Sequence, residues 1–207
     1  MNEQSSPILI VLSAPSGGGK TTLCQQVLAM RPGMVRGITC TTRAPRAGER
    51  DGIDYYFLDQ AAFQQRVDAR LFLEYANVYG RGYGTLRSEV MDKLRQGQDV
   101  ILSLDVQGVA TIQAKALRDP ELKRALVTVF LAPPSMAVLT ERLKKRGLDA
   151  PAEIEKRLSA ARQELAQAAT FNYIIVSGTV AEDARRMQAI VEAEKLRQNR
   201  VRLPSYE

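Results

Sequence analysis

Residues 8–22, "ILIVLSAPSGGGKTT", decide the fold: an apolar run meets a turn of small residues and three glycines, then Lys-Thr-Thr opens a helical pattern. The run Ile8–Ala14 reads as a buried strand and Thr21–Met30 as the helix after it. Without a Cβ, Gly17, Gly18 and Gly19 can curl successive backbone N–H groups around an anion. Ala14, Pro15 and Ser16 form the rest of that loop, Lys20 brings a point charge to the β/γ-phosphates, and Thr21 offers a hydroxyl to Mg²⁺. A generic loop of the form G-x-x-x-x-G-K-[ST] has glycine where Ala14 stands, which alanine can replace if its φ is negative. The stretch predicts a nucleoside triphosphate site and leaves the reaction open.

Moving outward, short apolar runs at Val100–Asp105, Val127–Ala132 and Tyr173–Ser177 alternate with helical-period segments at Pro134–Lys145, Ala152–Ala169 and Ala181–Gln198. That alternation predicts an α/β chain with a central parallel sheet flanked by helices. Residues 37–90 break the rhythm. Extended pieces at Gly37–Thr41, Asp54–Leu58 and Phe72–Val78 surround a helix at Gln60–Ala69, and another helix follows at Leu86–Gln96. This reads as a small mixed insertion with its own sheet. A second excursion lies at 142–157, where Gly147 and Pro151 separate two helices and can hinge.

With 207 residues the chain suits one domain, residues 1–36 and 91–207 forming its core. Its longest apolar stretch is too short to span a bilayer, and no basic segment precedes it, so neither a membrane nor a signal peptide is expected and the cytoplasm is the expected location. Net charge is +6, but the basic residues are scattered and lack interleaved aromatics, so no nucleic-acid partner is expected. Histidine is absent, which excludes Ser-His and Cys-His nucleophilic schemes. The two cysteines, Cys24 and Cys40, read as buried free thiols.

The acceptor is sought in "TCTTRAPRAGERDGIDYYF", residues 39–57. Arg43 and Arg46 flank the rigid Pro45, and with Tyr55 they suit a phosphate monoester, because guanidinium forks match phosphate oxygens and a phenol adds one directed donor. By themselves they equally fit a solvated basic loop balanced by Glu49 and Asp51. Further on, Glu74 and Thr85 can read guanine: a carboxylate accepts from the ring N–H and exocyclic amine, and a hydroxyl donates to the carbonyl. Glu74 alone fits a salt-bridged strand residue as well.

Taken together, A-P-S-G-x-G-K, T-T-R-x-P-R-x-G-E-x-x-G-x-D-Y, F-L-E-x-A, Y-G-T, D-x-Q-G and R-x-x-x-R-G followed by Arg157 resemble the guanylate kinase family in order and spacing across residues 8–178. The resemblance implies the nucleoside-monophosphate-kinase fold of the P-loop class, with a GMP-binding subdomain at 37–90 and a mobile lid at 142–157. It implies ATP as phosphoryl donor with Mg²⁺, and lid arginines Arg142, Arg146 and Arg157 acting with Lys20 on the transferring group. For GMP it implies phosphate contacts from Arg43, Arg46, Tyr55 and Tyr83, base contacts from Glu74 and Thr85, and further contacts from Thr39 and Asp105. In this family Ala14 is ordinary. Two positions depart from it: Ser103 stands where an acid is usual before Asp105, and Gly82 stands where an aromatic precedes Tyr83, removing a side chain from beside the guanine pocket.

The implied activity is reversible transfer of the ATP γ-phosphoryl group to GMP, a step of purine nucleotide metabolism, with dGMP as a second acceptor. Two other readings compete. A non-catalytic guanylate-kinase-like module would have a degraded loop, whereas Gly-Lys-Thr is intact here. A ribose 1,5-bisphosphate phosphokinase has no base to read and no use for Glu74 and Thr85. "DVQG" also resembles the D-x-x-G of switch GTPases, but no Asn-Lys-x-Asp follows it.

Overall fold

The computed structural model describes residues 5–78, 80–145 and 150–203. Nine strands and eight α-helices follow one another among them: β1 (Leu9–Ser13), α1 (Lys20–Met30), β2 (Met34–Arg36), β3 (Cys40–Thr41), β4 (Tyr56–Phe57), α2 (Gln60–Asp68), β5 (Phe72–Val78), β6 (Arg81–Leu86), α3 (Arg87–Arg95), β7 (Asp99–Ser103), α4 (Val106–Ala116), α5 (Pro120–Ala125), β8 (Leu126–Ala132), α6 (Met136–Lys145), α7 (Pro151–Ala166), β9 (Tyr173–Val176) and α8 (Val180–Lys195). None of these helices is long and apolar enough to cross a membrane.

The larger sheet has the order β2-β7-β1-β8-β9, and every pairing in it is parallel. All five residues of β1 are buried, as a strand covered on both faces requires. Its alternate side chains go to different cores. Ile10 and Leu12 join Leu23 and Val27 of α1 and Met187 and Val191 of α8, while Leu9 and Val11 join Val90 and Met91 of α3 and Val109 and Ile112 of α4. The chain runs from β1 to one side at β7 and to the other at β8, so the crevice at the carboxyl ends of these strands is the natural ligand position.

The smaller sheet, β4-β3-β6-β5, is mixed: β3 pairs parallel with β4 and antiparallel with β6, and β5 pairs antiparallel with β6. One face rests on α2 through Phe63, Phe72, Cys40 and their neighbours. A further apolar cluster joins α6 and α7 through Leu139, Leu143, Ile154, Leu158 and Ala161.

These elements match the alternation and the insertion expected from the sequence, with ends differing by one to three residues in most cases. The expected extension over Gly37–Thr41 narrows to the two residues of β3, and that over Asp54–Leu58 to the two of β4. Four elements escape the periodicity reading. The edge strand β2 is three residues long, and β6 is interrupted by Gly82 and Gly84. The helix α4 carries the spacing Val106, Val109, Ile112, Ala116 and an Asp105 cap, signals sufficient to find it; α5 follows at once, with Asp119 as cap.

Candidate active site

At the end of β1 the backbone turns sharply. Gly17 and Gly19 adopt φ of 85° and 98°, values that glycine holds without strain. Gly18 N donates to Pro15 O at 2.8 Å, and a Cβ on Gly18 would lie 2.8 Å from that same oxygen. Ala14 is fully buried in the core, and Arg70 is the sole non-glycine among the described residues with positive φ, so alanine meets the backbone requirement at position 14. The loop closes on itself through Lys20 Nζ, which donates to Ala14 O. The hydroxyl residues Thr21 and Thr22 follow in the exposed first turn of α1, which holds no acid to repel an anion. A cavity of about 380 Å³ opens beside the three glycines, with Arg142, Ser177 and Gly178 also in its wall.

Asp183 of α8 pins the far wall. Its carboxylate accepts from Ser177 Oγ at 2.9 Å and from Gly178 N at 2.8 Å. This loop carries no motif, and sequence reasoning did not find it.

On the acceptor side, Glu49 organises the arginine loop. It takes both 2.9 Å bonds from Arg43 Nη2 and a 2.7 Å bond from the Arg46 backbone N–H. The Arg46 amide foremost, with the Arg43 guanidinium, holds the Glu49 carboxyl below its ordinary range. Arg43 lies 5.4 Å from the Tyr55 ring centroid, and the Tyr55 and Tyr83 rings meet edge to face at 6.4 Å. Arg43, Tyr55 and Tyr83 therefore form one group. Arg46 is exposed at its margin; Thr39 is half-buried, and its carbonyl accepts from Tyr56 N at 3.0 Å.

A β-bulge builds the second group. In a regular strand Phe72 and Glu74 would share a face, but the register shifts between them, pairing Phe72 with Leu86 and Glu74 with Thr85. Phe72 accordingly packs on Phe63, while Glu74, only 4% exposed, accepts from Thr85 Oγ1 at 2.6 Å. Burial, helped by the nearby Asp105, pushes the Glu74 carboxyl up to about 7. Asp105 caps α4, accepting from Gly108 N at 2.8 Å. A Cβ on Gly108 would stand 3.1 Å from Glu74 Oε2, so the glycine of D-x-Q-G lets the head of α4 approach both carboxylates.

The structure corrects one expectation. A Cβ on Gly82 would meet the Phe63 ring at 2.9 Å, on the face of β6 opposite Tyr83 and Thr85. Gly82 makes room for α2 and removes nothing from the Glu74 group. Ser103 sits exposed at the carboxyl end of β7, opposite Leu12.

The α6–α7 unit leans on the phosphate loop: a Cβ on Gly17 would lie 3.0 Å from Leu143 Cδ2 and 3.4 Å from Leu139 Cδ1. Arg142 Nη2 is 3.4 Å from Ser177 Oγ and Arg157 Nη1 is 3.4 Å from Ser16 Oγ, so two of the three expected arginines flank the loop. Arg146 and Gly147 lie outside the described residues. Glu164 of α7, which no motif singles out, is half-buried, and that burial raises its carboxyl above the ordinary range. Both cysteines are buried free thiols, with desolvation pushing Cys24 up to about 12 and Cys40 to about 11, so neither is a nucleophile.

Comparison with known proteins agrees with this arrangement. Residues 6–194 match the family model described as guanylate kinase. The chain is 40% identical to the guanylate kinase of Carboxydothermus hydrogenoformans, over 94% of this chain and 92% of that one. It is 41% identical to that of Symbiobacterium thermophilum, over 95% and 90%. The crystal structure of guanylate kinase from Anaplasma phagocytophilum superposes with a TM-score of 0.75 at 30% identity, over 96% of this chain and 91% of that chain.

Proposed function

Because the chain belongs to the guanylate kinase family, we propose that the two groups at the carboxyl end of the large sheet are its donor and acceptor sites. The protein is an ATP:GMP phosphotransferase. The observation that carries the residue assignment is the Glu74–Thr85 pair, a buried carboxylate and hydroxyl held against Asp105 at the head of α4.

On this reading the γ-phosphoryl group of ATP passes reversibly to GMP, giving ADP and GDP. The transition state is loose, so catalysis consists of positioning and charge stabilisation, and no histidine is needed. The loop of residues 14–21 holds the triphosphate through the backbone N–H groups of its glycines and of the start of α1, with Lys20 turning from Ala14 O to the β/γ-phosphates. Arg43, Arg46, Tyr55 and Tyr83 hold the GMP phosphate in line, and Thr39 and Asp105 complete the acceptor pocket. Glu74 accepts from the ring N–H and amine of guanine, while Thr85 turns its hydroxyl to the carbonyl. Arg142, Arg146 and Arg157 neutralise the transferring group.

The metal we assign is Mg²⁺. Such an ion is carried mainly by phosphates and water, and the Thr21 hydroxyl, in the exposed first turn of α1 beside the glycine loop, would be its protein ligand. Bound there, it would draw negative charge from the phosphate oxygens.

Residues 37–90 serve as the GMP-binding subdomain, 1–36 and 91–207 as the core, and 142–157 as a lid whose closure keeps the phosphoryl group from water. We place the enzyme in the cytoplasm, in purine nucleotide metabolism. The test is ADP release from ATP and Mg²⁺ with GMP, dGMP, AMP or ribose 1,5-bisphosphate offered in turn. GMP and dGMP should be used, and Glu74→Gln should abolish the preference for GMP; equal use of ribose 1,5-bisphosphate would overturn the acceptor assignment.

A further inference from the structure

A single carboxylate ties down the arginine loop at both ends. Glu89 lies in the first turn of α3, the helix whose Val90, Met91 and Leu94 pack into the core beside β1, and its side chain is only 7% exposed. Its Oε1 accepts from the Ile38 backbone N–H at 2.8 Å and from Lys93 Nζ one turn further along α3, while its Oε2 accepts from Tyr56 Oη at 3.1 Å. Ile38 and Tyr56 bracket residues 39–55, the stretch that carries Thr39, Arg43, Arg46 and Tyr55. Just before that stretch the chain still belongs to the large sheet: Gly37 N donates to Ile101 O at 3.0 Å, and a Cβ on Gly37 would lie 2.4 Å from Leu102 Cδ2. At its other end Tyr56 sits in β4, the two-residue outer strand of the small sheet. Tyr56 turns to Glu89, and its neighbour Tyr55 turns to Arg43.

A carboxylate taken out of water needs donors, and this one has three from separate parts of the chain. An apolar side chain could fill the same space. What the carboxylate adds is a directed grip on two points far apart in sequence, one at each end of the loop. An edge strand as short as β4 is held weakly by its own ladder, so the Tyr56 phenol is its fixed point on the core. We propose that Glu89 is a positioning residue for phosphoryl transfer: standing on the core helix α3, it fixes both ends of the arginine loop and thereby sets where Arg43, Arg46 and Tyr55 hold the GMP phosphate relative to the donor site. This rests on the acceptor site assigned above.

Cutting the tie should misplace the acceptor and leave the donor alone. With GMP saturating, Glu89→Ala should lower kcat about tenfold or more, the scale of a small misplacement. The Kd of a non-hydrolysable ATP analogue with Mg²⁺ should stay within about twofold of the wild type, because separate sites act independently. Glu89→Gln keeps an oxygen for the Ile38 N–H and can offer its amide to Tyr56 Oη, so it should retain most of the wild-type kcat. Tyr56→Phe releases one end only and should lower kcat by less than Glu89→Ala; added to Glu89→Ala it should cost less than about twofold further, since both act through one contact. Wild-type kcat in Glu89→Ala, a Kd weakened in proportion to the fall in kcat, a Gln variant as poor as the Ala variant, or additive effects with Tyr56→Phe would each overturn the proposal. If Glu89→Ala does not fold, Tyr56→Phe carries the same comparison of kcat against Kd. Arg43→Ala, assayed beside them, separates this proposal from the reading beneath it. Undiminished use of GMP in Arg43→Ala would overturn the acceptor assignment and this proposal with it, whereas a loss there beside wild-type kcat in Glu89→Ala would overturn this proposal alone.

Discussion

Replacing Glu74 by Gln should stabilise the protein while crippling its use of GMP. Burial raises this carboxyl from 4.5 to about 7, a difference worth roughly 3 kcal/mol against the ionised form in the folded state. For an acid whose folded pKa is raised, stability falls as pH rises from the unfolded value to the folded one, so the full penalty is present at pH 8 and shrinks to under ~1 kcal/mol at pH 5. Gln escapes the penalty but must find a partner for its amide N–H, leaving a net gain of about 1–2 kcal/mol at pH 8. For a chain of this size that is a rise in Tm of about 2–8 °C. Binding runs the other way. Two charge-assisted hydrogen bonds to guanine, each worth about 1.5–3 kcal/mol, are lost, so kcat/KM for GMP should drop by about 10²–10⁴. Thermal melts of both proteins at pH 5 and pH 8, with GMP kinetics at pH 8, read the two effects. A Tm gain of equal size at both pH values, or a lower Tm at pH 8, would refute the reasoning, as would unchanged kcat/KM.

Three other outcomes follow from the same geometry. For the wild type, kcat/KM for GMP should decline as pH falls through about 7, because base reading needs the Glu74 carboxylate; Glu74→Gln should keep only the limb near pH 6 that belongs to the GMP phosphate. Gly82→Ala drives a methyl to 2.9 Å from Phe63, so denaturant melts should show a loss of about 1–3 kcal/mol with kcat/KM for GMP nearly unchanged. Lys20→Ala should lower kcat by about 10²–10³ in steady-state assays while GMP affinity persists.

The phosphate loop could be read from sequence because its signals are local: an apolar strand, glycines whose backbone must turn, and a helix that starts at Lys20. The acceptor residues were recognisable by type, since guanidinium forks, a phenol and an acid–hydroxyl pair have few joint uses. Their assembly depends on register. Nothing in "FLEYANV" announces the bulge that turns Glu74 away from Phe72, and without it the acid would face the apolar side of α2. Gly82 was misplaced for the same reason, because the face a residue occupies on β6 is set by pairing with β5 and not by neighbours in sequence. Asp183 looks like an ordinary helical acid until packing brings it to the Ser177–Gly178 turn.

The acceptor assignment stands on contact between the guanine edge and one carboxylate. A crystal structure with GMP bound should place the guanine ring N–H and exocyclic amine about 2.7–3.0 Å from the Glu74 oxygens, with the 5′-phosphate against Arg43 and Tyr55. A base bound elsewhere, with Thr85 still donating to Glu74, would contradict it.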